Sequence, residues 1–216
     1  ITIDSTDGDK TWNWVDSTDA WTSSEHINLA SGKEYKINNT TVMGAAGAVV
    51  LSDAQYNTTA GTNAGDSFSG TDAEKNTLLG YNAGTAITTG DKNTAVGAYC
   101  FDGNTTASNN TAFGFGTLSA ANTGDSNTAL GTEALNLNTS GHSNVAVGYQ
   151  CLEGNTTGNS NVGCGIYSLE DNTTGGSNSA YGAFSLANNT TGANNTAVGK
   201  SALFTNTTGG TNTSVG

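Results

Sequence analysis

Asparagine recurs at positions 76, 93, 110, 127, 144, 161, 178, 195 and 212, each 17 residues after the last. Glycine follows four residues behind every one of them, at Gly80, Gly97, Gly114, Gly131, Gly148, Gly165, Gly182, Gly199 and Gly216. No insertion or deletion breaks this count. So strict a period means one structural unit stacked on copies of itself, each covering the apolar face of the next. The choice of unit decides the fold class.

Number the unit from its Asn. Positions 2 to 4 alternate in character as a short strand does, which predicts positions 2 and 4 facing the core. Position 5 is always Gly, suited to a bend or a close backbone approach. Position 9 is large and apolar as Phe101, Leu118, Leu135, Leu152, Leu169, Leu186 and Leu203, with Gly84 the exception. Positions 12 to 15 carry turn chemistry, for example Asn155-Thr156-Thr157-Gly158 and Asn172-Thr173-Thr174-Gly175. Two short strands and two turns then make one coil of a β-solenoid, or β-roll, over residues 76–216. Helical repeats need over 30 residues and propeller blades about 40. The abundance of Asn, Thr and Gly also disfavours helix.

Two large apolar side chains per coil bury too little to offset the ordering of 17 residues. Asn ladders at positions 1 and 12 are expected to contribute. A further buried face is expected where positions 3 and 5 form a ribbon of Ala and Gly (Ala95/Gly97, Ala146/Gly148, Ala197/Gly199). That ribbon predicts a parallel homo-oligomer, a trimer, with chains in close approach there.

The chain has 30 Gly, no Pro and a formal net charge of −12. Without clustered Lys and Arg it is not expected to bind nucleic acid; acidity serves solubility. No apolar run long enough to span a membrane is visible, nor a cleaved leader, and the natural chain is expected to extend at both ends. Cys100 and Cys151 share position 8, three coils or about 14 Å apart, too far for a disulfide. With Cys164 at position 4 they read as small apolar fillers.

Residues 1–42 differ in texture. Ile1–Ile3, the segment around Trp12 and Trp14, and Trp21 read as strands of a small antiparallel β-module. Ile27–Leu29 and Tyr35–Ile37 are expected to flank a turn at Ala30–Lys33. The three Trp read as its core, with a sugar-binding platform as the alternative. Residues 43–75 form a connector, with Thr59–Lys75 a candidate degenerate coil acting as a cap.

The stretch WNWVDSTDAWTSSEHINLASGKEYKINNTTV (Trp12–Val42) resembles a segment of predicted tail-fibre and structural proteins of marine bacteriophages, especially cyanophages. The NTAVG…NTTG repeats are similar to those of viral fibres, and more distantly to the shorter repeats of trimeric adhesin heads, which form β-rolls. The resemblance implies a trimeric virion fibre without naming its receptor. Residues Met43–Val49 depart from it.

Catalytic candidates are sparse. His26 and His142 lack evident partners. Asp66, Asp72, Glu74, Asp91, Glu153, Glu170 and Asp171 are scattered, so a solvated face is preferred over paired carboxylates for glycan hydrolysis. No cofactor or metal is expected, and the chain is read as no enzyme. Asn104, Asn138, Asn155, Asn172, Asn189 and Asn206 each begin an N-x-[ST] sequon at position 12. They read as turn and ladder residues, or, in a secreted fibril, as a row of glycans. The expected function is a phage tail or virion fibre shaft for host attachment, located in the virion and partnered by other fibre proteins and a host surface glycan or receptor. The alternatives are a self-assembling, N-glycosylated extracellular fibril or adhesin, and a glycan-degrading tailspike.

Overall fold

Each 17-residue unit contributes one three-residue strand, at positions 2 to 4, and each strand lies parallel to its counterpart in the next unit. A computed structural model describes residues 2–3, 10–15, 20–23, 35–37, 40–43, 55–68 and 72–216. Strands β6 (Thr58–Ala60) through β11 (Val145–Val147) to β15 (Thr213–Val215) form a ten-stranded parallel sheet in sequential order. Register follows the period, as in Thr128↔Val145, Ala129↔Ala146 and Leu130↔Val147. The protein is a β-solenoid.

The expected second strand is absent from the described coils. Positions 6 to 11 run through turns in which positions 7 and 9 take positive φ, as Gln150 (49°) and Leu152 (55°) do, and position 17 does the same, as at Ser160 (58°). The left-handed region is costly for side chains branched at Cβ. That explains a selective gap: in a chain rich in Thr and Val, none of the described residues at positions 7 and 9 is β-branched, and Thr211 alone is so at position 17. Coil-to-coil hydrogen bonding nevertheless continues around the perimeter. Val145, Leu152, Gly154 and Thr156 donate to the following coil (Asn161, Ser168, Glu170 and Thr173 carbonyls), whereas Gly148, Gln150 and Ser160 donate to the preceding one.

The strand also faces the other way from expectation. Position 3 points inward: Ala95, Ala112, Ala129, Ala146, Ala180 and Ala197 are fully buried. Position 4 points outward, at Leu79, Phe113, Leu130, Tyr181 and Val198. The reason is the narrow cross-section. Position 9 leucines cross the interior from the far side, and the small position 8 residues fill what is left, so the strand can present only a small group. A Cβ added at Gly163, a position 3 residue, would sit 2.5 Å from the Cys151 Sγ. The Ala ribbon is therefore core rather than a chain–chain contact. Cys100 and Cys151 are buried fillers as expected, but Cys164, at position 4, is exposed.

The stack starts earlier than its strict period. Asn57 takes position 1 of a first coil, and its Oδ1 accepts from the Asn76 backbone N–H at 2.8 Å. The first described coil thus starts at Asn57, and 19 residues separate it from Asn76, two more than in the later coils, so the start lies before the expected Thr59.

The chain divides into two compact units, Ile1–Val50 and Leu51–Gly216. In the first, β1 (Thr2–Ile3), β2 (Lys10–Val15) and β3 (Ala20–Ser23) form an antiparallel sheet in which Trp14 is paired with Trp21. Strand β4 (Tyr35–Ile37) pairs antiparallel with β5 (Thr40–Met43); residues 27–29, its expected partner, lie outside the described residues. The side chains of the three Trp lie outside them too, as does His26.

Candidate functional site

Two asparagine columns stiffen the stack. At position 1, Asn161 is fully buried; its Oδ1 accepts from the Asn178 backbone N–H (3.0 Å) and Nδ2 (3.1 Å), and its Nδ2 donates to the Gly175 carbonyl (2.8 Å). At position 12, Asn172 Nδ2 donates to Asn155 Oδ1 (2.9 Å) and to the Gly175 carbonyl (3.0 Å). Position 15 carbonyls tie the two columns together. A primary amide suits this role because it carries donor and acceptor on one short arm, so a column of identical amides satisfies itself.

This geometry bears on the sequons. Asn104, Asn138, Asn155, Asn172 and Asn189 are fully buried, and Asn206 is partly so. Glycosylation would consume the Nδ2 that holds the column and would need an exit from a closed interior. In the folded stack Asn138, Asn155, Asn172, Asn189 and Asn206 are ladder elements and Asn104 donates to the Leu118 carbonyl, so their amides are engaged inside the coils rather than offered to a sugar.

The position 5 glycines are confined by the same chain. Gly148 has φ +142°, and a Cβ there would lie 2.5 Å from the Gly165 carbonyl oxygen in the next coil. The same holds at Gly80, Gly97, Gly114, Gly131, Gly165 and Gly182, while a Cβ at Gly199 would lie 3.0 Å from the Gly216 backbone nitrogen. Their close approach is coil to coil.

Outside, the sheet presents a continuous strip. Positions 2 and 4 of all ten strands are uncharged, and position 4 is apolar throughout: Ala60, Leu79, Val96, Phe113, Leu130, Val147, Cys164, Tyr181, Val198 and Val215. Past the Gly bend stand exposed aromatic columns. Tyr81, Tyr99 and Phe115 contact edge to face at 5.2 and 5.7 Å, and Tyr149, Tyr167, Phe184 and Phe204 form a second run. Sequence reasoning missed this strip. One signal was available: charge is wholly excluded from positions 2 and 4.

No protein-family model, curated protein or solved structure matches this chain.

The carboxylates lie elsewhere. Glu153 and Glu170 share position 10 of adjacent coils, an adjacency the sequence reading overlooked. Burial raises both carboxyls; the charges of Glu133 and Asp171 add to it at Glu153, and those of Asp171 and Glu153 at Glu170. Neither lines the shallow cavity of about 250 Å³ on positions 14 to 17, where Thr123, Asp125, Ser140 and His142 meet. His142 Nδ1 lies 3.3 Å from Ser143 Oγ, its backbone N–H donates to Asn159 Oδ1, and Asp125 Oδ1 accepts the Ser108 N–H. Glu74 pairs with Lys75, and the Glu74 N–H donates to Asp91 Oδ1. Burial pushes the Cys100 and Cys151 thiols up to about 12, which keeps them neutral and unreactive. Among the described residues, no group of three or more His, Cys, Asp or Glu is placed to hold a metal ion, and no helix is long and apolar enough to cross a membrane.

Proposed function

We propose that the chain is the shaft of a tail or virion fibre, built as a parallel homotrimer and serving host attachment by holding a recognition element away from the particle. The observation that carries this reading is the uninterrupted stack. From Asn57 to Gly216 every coil repeats the same position 1 amide column and the same strand register. Nine interstrand steps of about 4.8 Å span roughly 43 Å along the stack. A stack of units held in one register transmits position and load along its axis. The resemblance of Trp12–Val42 and of the repeats to phage fibre proteins supports the assignment to a virion. The glycosylated-fibril alternative loses its main support, because the sequon side chains form the interior. Immunogold imaging with an antibody raised against the repeat stack tests the proposal. Label on fibres projecting from phage particles is the expected result; label on cell-surface filaments, or none on particles, overturns it.

A further inference from the structure

We infer that the outer face of the parallel sheet, the strip of position 4 side chains flanked by position 2, is the surface on which a second copy of this chain docks. The inference rests on the multi-chain reading of the shaft and names the face that reading needs. Three observations lead to it.

The first is area. Leu79, Phe113, Leu130, Tyr181 and Val198 are each 36–46% exposed on this face. With Val96, Val147, Cys164 and the position 2 groups beside them, these side chains make one uncharged strip that crosses all ten strands. Isolated chains rarely leave contiguous apolar patches above a few hundred Å² in water.

The second is charge. The protein carries −12, yet none of the ten strands holds an ionisable group other than the Cys164 thiol and the Tyr181 phenol. Acidic groups at Glu133, Glu153, Glu170 and Asp171 sit beyond the Gly bend, at positions 7, 10 and 11. A basic partner would be met by carboxylates on the docking face. Two copies of one acidic chain instead need a face without charge, since like charges opposed across a desolvated contact cost several kcal/mol.

The third is continuity. The strip repeats with the same period as the coils, so a copy laid alongside finds like residues at like spacing over the whole stack. Positions 3 and 5 are spent on the core and on coil contacts, and the exposed aromatics past the Gly bend fall into two separate runs, so the strip is the apolar face that repeats in every coil.

Cys164 reports on the proposal directly. It lies within the strip and is exposed in the single chain, whereas Cys100 and Cys151 are buried. The full chain, reduced and then freed of reductant, is treated with a maleimide, and its mass is measured by sedimentation. The expected result is a multi-chain mass with Cys164 protected, and three thiols labelled only after denaturation. Leu130→Asp with Val198→Asp, both pointing outward, is expected to give a single-chain mass with unchanged circular dichroism and one labelled thiol. A single-chain mass for the unaltered protein overturns both this inference and the multi-chain reading. A multi-chain mass with Cys164 labelled at the rate of a free thiol overturns the inference alone and places the contact on another face. Should the double variant fail to fold, mass and labelling of the unaltered chain still decide.

Discussion

The coil Asn144–Ser160 fills its interior with Ala146 from the strand and Leu152 from the opposite side. The coil Asn76–Lys92 exchanges the sizes: Leu78 comes from the strand and Gly84 stands opposite. Both pairs are fully enclosed in their settings, and a Cβ added at Gly84 would lie 2.8 Å from both Leu78 Cδ atoms and from Ile87 Cδ1. The coil Asn57–Lys75 follows the early pattern, with Gly65 against Phe68. What is held constant between the two regions is volume across the coil rather than residue type at a position. The amide columns differ in the same sense. Position 1 is Asn from the first coil onward. Position 12 is Phe68, then Ile87, then Asn104, whose Nδ2 donates to the Leu118 carbonyl. Ala121 follows, and the amide column starts with Asn122, one place further on, whose Oδ1 accepts from Asn138 Nδ2, leaving Asn104 Oδ1 and Asn122 Nδ2 without partners. The position 1 column is thus the common element, and the position 12 column is an addition made by the later coils.

The contrast can be broken most severely at a place the two regions share. Gly148→Val forces a β-branched residue into φ +142° and drives its Cβ into the Gly165 backbone. A loss of about 3–5 kcal/mol, or failure to fold, is expected in denaturant titration. A loss below 1 kcal/mol would mean that coils can separate locally.

Size exchange makes a sharper test. Leu78→Ala should cost about 2–4 kcal/mol through a cavity, and Gly84→Leu should cost a similar amount by overpacking. Together they recreate the Ala/Leu pair of the later coils, and Gly84 has φ +58°, close to the value of the later leucines. The double variant should recover most of both losses, giving a coupling of about 2 kcal/mol or more in a double-mutant cycle. Additive losses would show that the two regions are not built on a shared volume rule.

The columns separate next. Asn161→Ala removes an acceptor used by two Asn178 donors, which are left buried without it, and takes one of two donors from the Gly175 carbonyl; it should cost about 2–3 kcal/mol. Asn172→Ala should cost about 1–2 kcal/mol, because the early coils do without that column. Equal thermal shifts would remove the distinction.

The smallest effect is electrostatic. The Glu153 and Glu170 carboxyls are raised in the folded chain by burial and then by neighbouring charge, so the folded state holds protons the unfolded state has released. Stability therefore falls as pH rises through the folded values, from about pH 4 towards neutrality. Both groups are largely solvated, and the loss should stay under about 0.5 kcal/mol. Glu153→Gln with Glu170→Gln should flatten that slope; an unchanged slope assigns it to other carboxylates.

The period, the parallel stacking and the amide columns were legible because each depends on residue identity recurring at a fixed interval, as at Asn144 and Asn161. The inside and outside of the strand were not. Alternation at positions 2 to 4 is compatible with either face inward, and hydrophobicity favours the larger residue, so Leu130 outranked Ala129. Only the reach of Leu135 across the coil, invisible in a linear pattern, reserves the inside for Ala. The start at Asn57 was hidden by the two extra residues before Asn76, although Asn57-Thr58-Thr59-Ala60-Gly61 already carries the Asn-to-Gly spacing. The sequons were misleading in one of their two readings, since a short motif carries no record of burial.

That each coil is bonded only to the coil before and the coil after has a mechanical meaning. The two ends of the stack are its two ends along the chain as well, so tension between them acts in series through every coil junction. An end coil has one neighbour and should detach first, and each detachment hands the load to an equivalent junction. Seventeen freed residues add roughly 55–60 Å of contour, so extension of a single chain should proceed in equal steps at similar force. Such a rod yields by lengthening in increments, dissipating work at each one, and keeps the unpeeled remainder in register to rewind when the load is released.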